Sequence, residues 1–102
     1  MNKKKVYIYL DDLRNTPKGY TRTHSVNETI KLIKEVEKQN AKIVLLDLDH
    51  DLGDYASDGG DAIKLLDWLV ERKTLYPIKI HTMNGVGRDN MQRMIDRFWR
   101  NK

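Results

Sequence analysis

The sequence contains no cysteine, and this absence excludes disulfides, zinc–thiolate sites, iron–sulfur clusters and cysteine nucleophiles. No apolar run approaches the ~20 residues that a bilayer span requires. The basic start, residues 1–5, leads into a predicted strand and lacks the longer apolar stretch of a secretory signal. The sequence also has no Walker loop, serine elbow or dinucleotide-binding fingerprint. We therefore expect a cytoplasmic protein without membrane contact.

Length and composition favour a single folded domain. The 102 residues, 1–102, suffice for one hydrophobic core and leave little room for a second. Hydrophobic residues make up 39% of the chain and charged residues 33%, a balance typical of a folded globular protein rather than a disordered chain.

Acidic and basic residues are distributed unevenly along the chain. The net charge is +4, yet seven of the eleven aspartates lie between Asp47 and Asp67. The basic excess lies nearer the ends, at Lys3, Lys4, Lys5, Arg88, Arg93, Arg97, Arg100 and Lys102. This separation suits an acidic, metal-binding centre whose basic flanks attract a phosphate-bearing ligand, although an ordinary solvated surface would produce the same pattern.

Hydrophobic patterning predicts strands that alternate with helices. Runs rich in β-branched, aromatic or uninterrupted apolar residues predict strands at 5–10, 20–24, 43–46 and 77–81. The first helix begins at a capping box, Ser25 with Glu28, and ends near Asn40. Apolar residues at helical spacing predict two more helices, over 62–70 and 91–99. This alternation predicts an α/β fold with a four-stranded parallel sheet in the order 2-1-3-4 and helices on both faces.

Polar side chains follow three of the predicted strands. Asp11 and Asp12 come after the first strand, residues 47–51 come after the third, and residues 81–84 end and follow the fourth. Ligands bind parallel sheets outside the carboxyl ends of the strands, so these segments are expected to form one site.

The aspartates of these segments predict a metal site. Asp11 and Asp12, with Asp49 or alternatively Asp51, provide the carboxylate oxygens that Mg²⁺ prefers, and Asp49 is the third ligand we expect. The alternative is that one aspartate caps a turn and another is solvated. Mg²⁺ is therefore an expected cofactor, although a site that uses only histidines and Arg14 would also be chemically sufficient.

Two histidines at the strand ends indicate proton transfer. Opening a cyclic phosphodiester requires a general acid and a general base, and His50 and His81 would supply them. Asp49 and Asp51 flank His50 and favour its charged form, which makes it the acid of the pair. Histidines at strand ends are also common as purely structural groups.

Hydrogen-bond donors for a phosphate lie near the predicted fourth strand. Thr82 and Asn84 offer side-chain donors, and residues 85–87 open the last helix with backbone N–H groups beside Arg88. Two glycines before a helix are also a common turn, so this motif is weak by itself.

The sequence resembles the cyclic-phosphate processing receiver-like domain family. The similarity lies in residues 10–14 with Pro17, in 48–53, and in 81–84 followed by 87–88 and 90–91. It implies a divergent response-regulator receiver fold, a three-layer flavodoxin-like sandwich that has lost its first helix and is truncated to four strands. It also implies hydrolysis of cyclic phosphate ends or cyclic nucleotides, with links to RNA repair and to phage or defence settings.

The resemblance also implicates individual residues. The positions that match the family's motifs are Asp11, Asp12, Arg14, Asp49, His50, Asp51, His81, Thr82 and Asn84. One departure is the segment 58–60, where relatives have a single glycine before the helix. The loop that begins at Asp54 is therefore expected to differ in its substrate contacts.

Three functions are compatible with these features. The leading hypothesis is a small enzyme that acts on a cyclic nucleotide or a 2′,3′-cyclic end of RNA, with RNA as a contact partner. The alternative is a non-catalytic receiver-like phosphoacceptor or binding module in which Asp47 or Asp49 is the acceptor. The fifth strand and lysine on which receiver signalling depends are not found after residue 99, which disfavours that alternative. The third is a nucleic-acid-binding protein that uses the basic ends.

Overall fold

The computed structural model describes residues 3–99 and contains one parallel sheet of four strands. The strands are β1 (Lys5–Leu10), β2 (Thr21–Thr23), β3 (Lys42–Leu48) and β4 (Ile78–Ile80), and their order in the sheet is β2-β1-β3-β4. All three pairings are parallel. The predicted order 2-1-3-4 and the receiver-like α/β class are confirmed.

Three helices follow the strands: α1 (Val26–Lys38), α2 (Ile63–Arg72) and α3 (Gly85–Phe98). Ser25 caps α1 as predicted, since its hydroxyl accepts a hydrogen bond from the Glu28 N–H at 3.0 Å. The Glu28 side chain accepts from the His24 N–H at 2.8 Å, one residue before the Ser25 N–H that a capping box uses. A short 3₁₀ helix, Gly53–Ser57, lies in the loop after β3. No helix among the described residues has the length and apolar character needed to cross a membrane.

The hydrophobic core lies between the sheet and the helices. Val6, Ile8 and Leu10 of β1 are buried in one cluster with side chains from all three helices. Because side chains alternate along a strand, Tyr7 and Tyr9 point to the opposite face of the sheet. In the described residues no helix covers that face. The helices on both faces that the alternation of elements and the resemblance to a three-layer sandwich predicted are therefore found on one face only.

The handedness of the connections explains why the helices share one face. The crossover from β2 to β3 contains α1, and the crossover from β3 to β4 contains α2; both move toward the β4 edge of the sheet. Right-handed crossovers that move in the same direction place their helices on the same face. The connection from β1 to β2 runs in the other direction, but residues 11–20 are too few to include a crossover helix.

Two boundaries differ from those predicted. The third strand continues through Asp47 and Leu48, because these residues pair with Tyr9 and Leu10 of β1 on one side and with β4 on the other. The last helix begins at Gly85, six residues before the predicted apolar stretch 91–99, because Asn84 caps it: its Oδ1 accepts a hydrogen bond from the Gly87 N–H at 3.0 Å. The basic residues Arg100 and Lys102 lie outside the described residues.

Candidate functional site

A cavity of 330 Å³ lies at the carboxyl edge of the sheet. It is formed by the connections that follow β1, β3 and β4, which are the three segments expected to meet. Its lining consists of Asp11, Asp12, Leu13, Arg14, Asp49, Asp51, Gly53, Thr82, Met83 and Asn84. The volume lies within the usual range of small-molecule sites, about 300–1,000 Å³.

Asp11 is buried and held in place by hydrogen bonds. Its Oδ1 accepts from the backbone N–H groups of Leu13 and Arg14, both at 2.8 Å, and its Oδ2 lies 2.9 Å from Nε2 of His81. Burial by itself would raise the pKa of Asp11, but the hydrogen bonds from Arg14, Leu13 and His81 outweigh it and lower that pKa. Asp11 therefore stays a carboxylate at neutral pH.

Asp11, Asp12 and Asp49 form a cluster of carboxylates in the cavity wall. Each offers an oxygen, and these three oxygens all lie within 4.8 Å of one another. Burial, together with the charge of Asp11, raises the pKa of Asp49, while hydrogen bonds from Thr82 and from the His50 N–H oppose the rise. The donor set fits a hard divalent cation such as Mg²⁺, which binds a few carboxylate oxygens and completes its shell with water.

Gly53 makes room for one of these carboxylates. A Cβ atom at this position would lie 2.6 Å from Oδ2 of Asp12, and the backbone has a φ of +57°, in the left-handed region that favours glycine. Sequence reasoning did not assign Gly53 a role at the site. The signal available in the sequence was a glycine five residues after the strand that ends near Leu48.

His81 lies between two carboxylates. Its Nδ1 is 2.5 Å from Oδ1 of Asp47 and its Nε2 is 2.9 Å from Oδ2 of Asp11, while the ring stacks on Tyr9 with centroids 4.4 Å apart. Ionised carboxylates only accept hydrogen bonds, so both contacts are made together only when both ring nitrogens carry a hydrogen. The arrangement holds Asp11 and Asp47 in fixed positions. His81 is not part of the cavity lining.

His50 is paired with a single carboxylate. Its Nδ1 lies 2.6 Å from Oδ1 of Asp51, and the Asn84 amide donates to both oxygens of Asp51 at 3.1 Å. The hydrogen bonds from His50 and Asn84 lower the pKa of Asp51, which lines the cavity next to the imidazole. Among the described residues Nε2 of His50 has no hydrogen-bond partner. Asp51 therefore orients the ring through Nδ1. Like His81, His50 is not itself part of the cavity lining, and it borders the cavity through Asp51.

The expected phosphate-binding residues occupy different places. Arg14, Thr82 and Asn84 line the cavity, and Arg14 is the one cation among its described lining residues. Arg88 lies outside that lining and donates to the backbone carbonyl of Thr82. The N–H of Gly87 is used by the helix cap at Asn84.

Two further aspartates of the loop after β3 make defined contacts, and sequence analysis assigned neither of them a role at the site. Asp61 comes within 4.8 Å of ligating atoms of His50 and Asp51, and its Oδ1 accepts from the Leu52 N–H at 3.2 Å. Asp58 anchors the loop after β3 to the start of α1, since its carboxylate accepts from the Ser25 hydroxyl at 2.7 Å. Both aspartates lie in the irregular loop between β3 and α2, and their partners are elsewhere in the sequence. Hydrophobic periodicity, which identifies helices and strands, therefore gives no signal for them.

Comparison with family models identifies the chain. Residues 6–97 match the cyclic-phosphate processing receiver domain. Searches of curated proteins and of solved structures give no match. The match spans most of the chain, and the protein therefore belongs to the cyclic-phosphate processing receiver family.

Proposed function

We propose that this member of the cyclic-phosphate processing receiver family hydrolyses a cyclic phosphodiester, carried by a nucleotide or by an RNA end, in the cavity at the carboxyl edge of the sheet. The observation that carries the proposal is the composition of this cavity. One space of 330 Å³ is lined by three clustered carboxylates, by Arg14 and by an aspartate that is paired with an imidazole. These are the groups that phosphoryl chemistry uses to neutralise charge and to transfer protons.

In this proposal Asp11, Asp12 and Asp49 hold a Mg²⁺ ion. When bound, such an ion neutralises the carboxylates, polarises a phosphoryl oxygen and lowers the pKa of a coordinated water. The chain's own task is to keep the three oxygens close together against their mutual repulsion. The hydrogen bonds that fix Asp11 and the glycine that admits Asp12 serve this purpose.

The phosphate lies between the carboxylate cluster and the donors on the β4 side. Arg14 supplies a positive charge and Asn84 supplies a neutral donor, while the hydroxyl of Thr82 hydrogen-bonds to Asp49 and holds that carboxylate in place. Asn84 uses its amide nitrogen to contact Asp51, and the same amide group has a second hydrogen for a ligand. Arg88 contributes indirectly, because it holds the Thr82 carbonyl and thereby the backbone of the cavity wall.

Hydrolysis forms a bond between a water oxygen and phosphorus and breaks the bond between phosphorus and one sugar oxygen. We assign His50 to the second event: Nε2 donates a proton to the departing oxygen, with Asp51 holding the ring at Nδ1. Asp49 lines the cavity; one of its oxygens would hold the ion and the other would accept the proton of the attacking water, so one proton is accepted and one is donated. His81, predicted to be the second member of the acid–base pair, would first have to release Asp47 or Asp11, and we assign it a positioning role.

The proposal is tested by a substrate screen with matched variants. Nucleoside 2′,3′-cyclic and 3′,5′-cyclic phosphates and oligonucleotides with a cyclic end are incubated with the protein, with and without Mg²⁺. We expect turnover of at least one class and a loss of about 10²–10⁴-fold in His50→Gln. Asp12→Asn is expected to remove the response to Mg²⁺, whereas Asp67→Asn, an exposed position on α2, serves as the control and retains full activity.

The two alternative functions give different results in the same samples. Incubation with acetyl phosphate and Mg²⁺, followed by intact-mass measurement, detects a phosphoacceptor as a gain of one phosphoryl group. Asp47 is buried against His81, so Asp49 would be the acceptor in that case. Salt-dependent binding of single strands without turnover would instead identify a nucleic-acid-binding protein. Either result, without hydrolysis of any cyclic phosphate, contradicts the proposal.

A further inference from the structure

Two exposed apolar side chains lie at the mouth of this polar cavity. Leu13 is 84% exposed and Met83 is 88% exposed, and both belong to the cavity lining. They come from different connections, Leu13 from the one after β1 and Met83 from the one after β4. We call this pair the apolar rim. Single exposed apolar side chains are ordinary on protein surfaces, but these two line the same polar cavity, where one bound ligand can cover both.

The two side chains of the apolar rim do not contribute to the packing of the fold. Neither Leu13 nor Met83 belongs to the hydrophobic core or to the apolar side chains packed against it. The neighbouring groups, by contrast, are held in defined positions: the Leu13 N–H donates to Asp11, and the chain around Met83 is fixed by Thr82 and Asn84. The backbone thus presents two apolar side chains from a rigid support beside the carboxylate cluster.

The area of the rim indicates the size of its ligand. A Leu or Met side chain offers roughly 100 Å² of apolar surface, so the pair offers on the order of 200 Å². A stable protein–protein interface needs about 800 Å² from each partner. The rim is therefore too small to hold a protein, whereas the flat apolar face of one heteroaromatic ring fits it. The position of the rim at the opening of the cavity places that ring on the same molecule as the phosphate.

We propose that the apolar rim of Leu13 and Met83 binds the nucleobase of the cyclic-phosphate substrate. The inference rests on the proposed function and adds to it the residues that bind the base of a mononucleotide or of the last residue of an RNA. The base contacts the rim through its face and uses no hydrogen bonds there. Because only the area of the ring matters for such a contact, purines are expected to bind more tightly than pyrimidines, and no individual base is recognised by hydrogen bonds.

The experiment compares substrates with and without a base. Adenosine 2′,3′-cyclic phosphate, a trinucleotide ending in the same group, and the 2′,3′-cyclic phosphate of 1-O-methylribose are tested for binding by calorimetry and for turnover. We expect the two base-bearing compounds to bind on the order of tenfold more tightly than the sugar phosphate. Leu13→Asn and Met83→Gln are expected to bring this ratio close to one. Leu75→Gln changes an exposed leucine before β4, at the opposite edge of the sheet, and is expected to retain the ratio.

Each other outcome contradicts a defined part of the proposal. If all three compounds bind equally and the rim variants do not change their binding, the rim does not bind the base, and the proposed function stands. Neither binding nor turnover of any compound by the native protein overturns the proposed function, and the inference with it. A native protein that self-associates, and whose rim variants are monomeric, would assign Leu13 and Met83 to a protein contact instead. Thermal unfolding of each variant verifies that the substitutions leave the fold intact.

Discussion

The α-carbon of Gly87 lies directly against the ring of His50. A Cβ atom at position 87 would be 2.5 Å from Cγ of His50 and 2.7 Å from its Nδ1, which is the atom that contacts Asp51. The absence of a side chain in the first turn of α3 thus sets the position of the imidazole. The glycine has a role in packing and not only in the helix cap.

This relationship predicts the effect of a single methyl group. Gly87→Ala should displace the His50 ring, weaken its contact with Asp51 and destabilise the fold by about 1–3 kcal/mol through overpacking. Gly85→Ala is the matched control, because a Cβ atom at Gly85 has no neighbour within 4 Å. Urea unfolding measures the stability of both variants, and the histidine NMR signals report the ring. Equal stabilities of the two variants would disprove a packing role for Gly87.

A second prediction concerns the buried pairs of His81. Replacing His81 with Gln should leave Asp11 and Asp47 as buried carboxylates without their partner, since their side chains are 1% and 6% exposed. We expect a loss of about 3–5 kcal/mol in the free energy of unfolding. His24→Gln breaks an exposed pair with Glu28, 38% and 46% exposed, and should cost less than about 1 kcal/mol. Denaturant unfolding at pH 7 tests both, and similar losses would contradict the positioning role of His81.

Metal binding predicts a change in thermal stability. A ligand present at about 100 times its dissociation constant stabilises the folded state by about 2.7 kcal/mol. Mg²⁺ at millimolar concentration should therefore raise the melting temperature of the native protein and of Asp67→Asn, and it should have no effect on Asp12→Asn. If millimolar Mg²⁺ changes neither the melting temperature nor the activity of the native protein, the metal site is rejected.

Stability at extreme pH should depend on a network between α1 and the start of β4. Hydrogen bonding and charge from Arg72, whose Nη2 lies 2.8 Å from Oε1 of Glu37, lower the pKa of Glu37, with a smaller contribution from the Tyr76 hydroxyl. Because the folded value is depressed, this stabilisation is present above the unfolded pKa of about 4.3 and is lost as the pH falls below it. Burial and Glu37 raise the pKa of Tyr76 to about 12, so its contribution is complete below pH 10 and is lost as the pH rises toward 12.

The measurement is the free energy of unfolding as a function of pH. Native protein and Glu37→Gln should differ by about 1 kcal/mol at pH 7, and the difference should shrink below pH 4. Tyr76→Phe should become less destabilising relative to the native protein above pH 10. A difference between native protein and Glu37→Gln that is constant from pH 2 to pH 7 would contradict the assignment.

Much of this protein follows from local sequence patterns. Runs rich in β-branched, aromatic or uninterrupted apolar residues predict the strands, helical spacing of apolar residues predicts the helices, and Ser25 with Glu28 predicts the start of α1. Alternation of these elements leads to the parallel sheet, and the rule that ligands bind at the carboxyl edge leads to the cavity. The elements follow from residues that are neighbours along the chain. The sheet and the place of the cavity follow from general rules for parallel strands and their connections.

Only the tertiary structure decided how the site residues pair. His81 contacts Asp47 and Asp11, which are 34 and 70 positions away, because β1 and β4 both pair with β3 in one register. The packing of Gly87 on His50 depends on the approach of α3 to the loop after β3, and the single helical layer depends on the direction of the crossovers. Side-chain periodicity predicts which face of an element is buried, but a partner distant in sequence is determined by strand register and by the path of the connections.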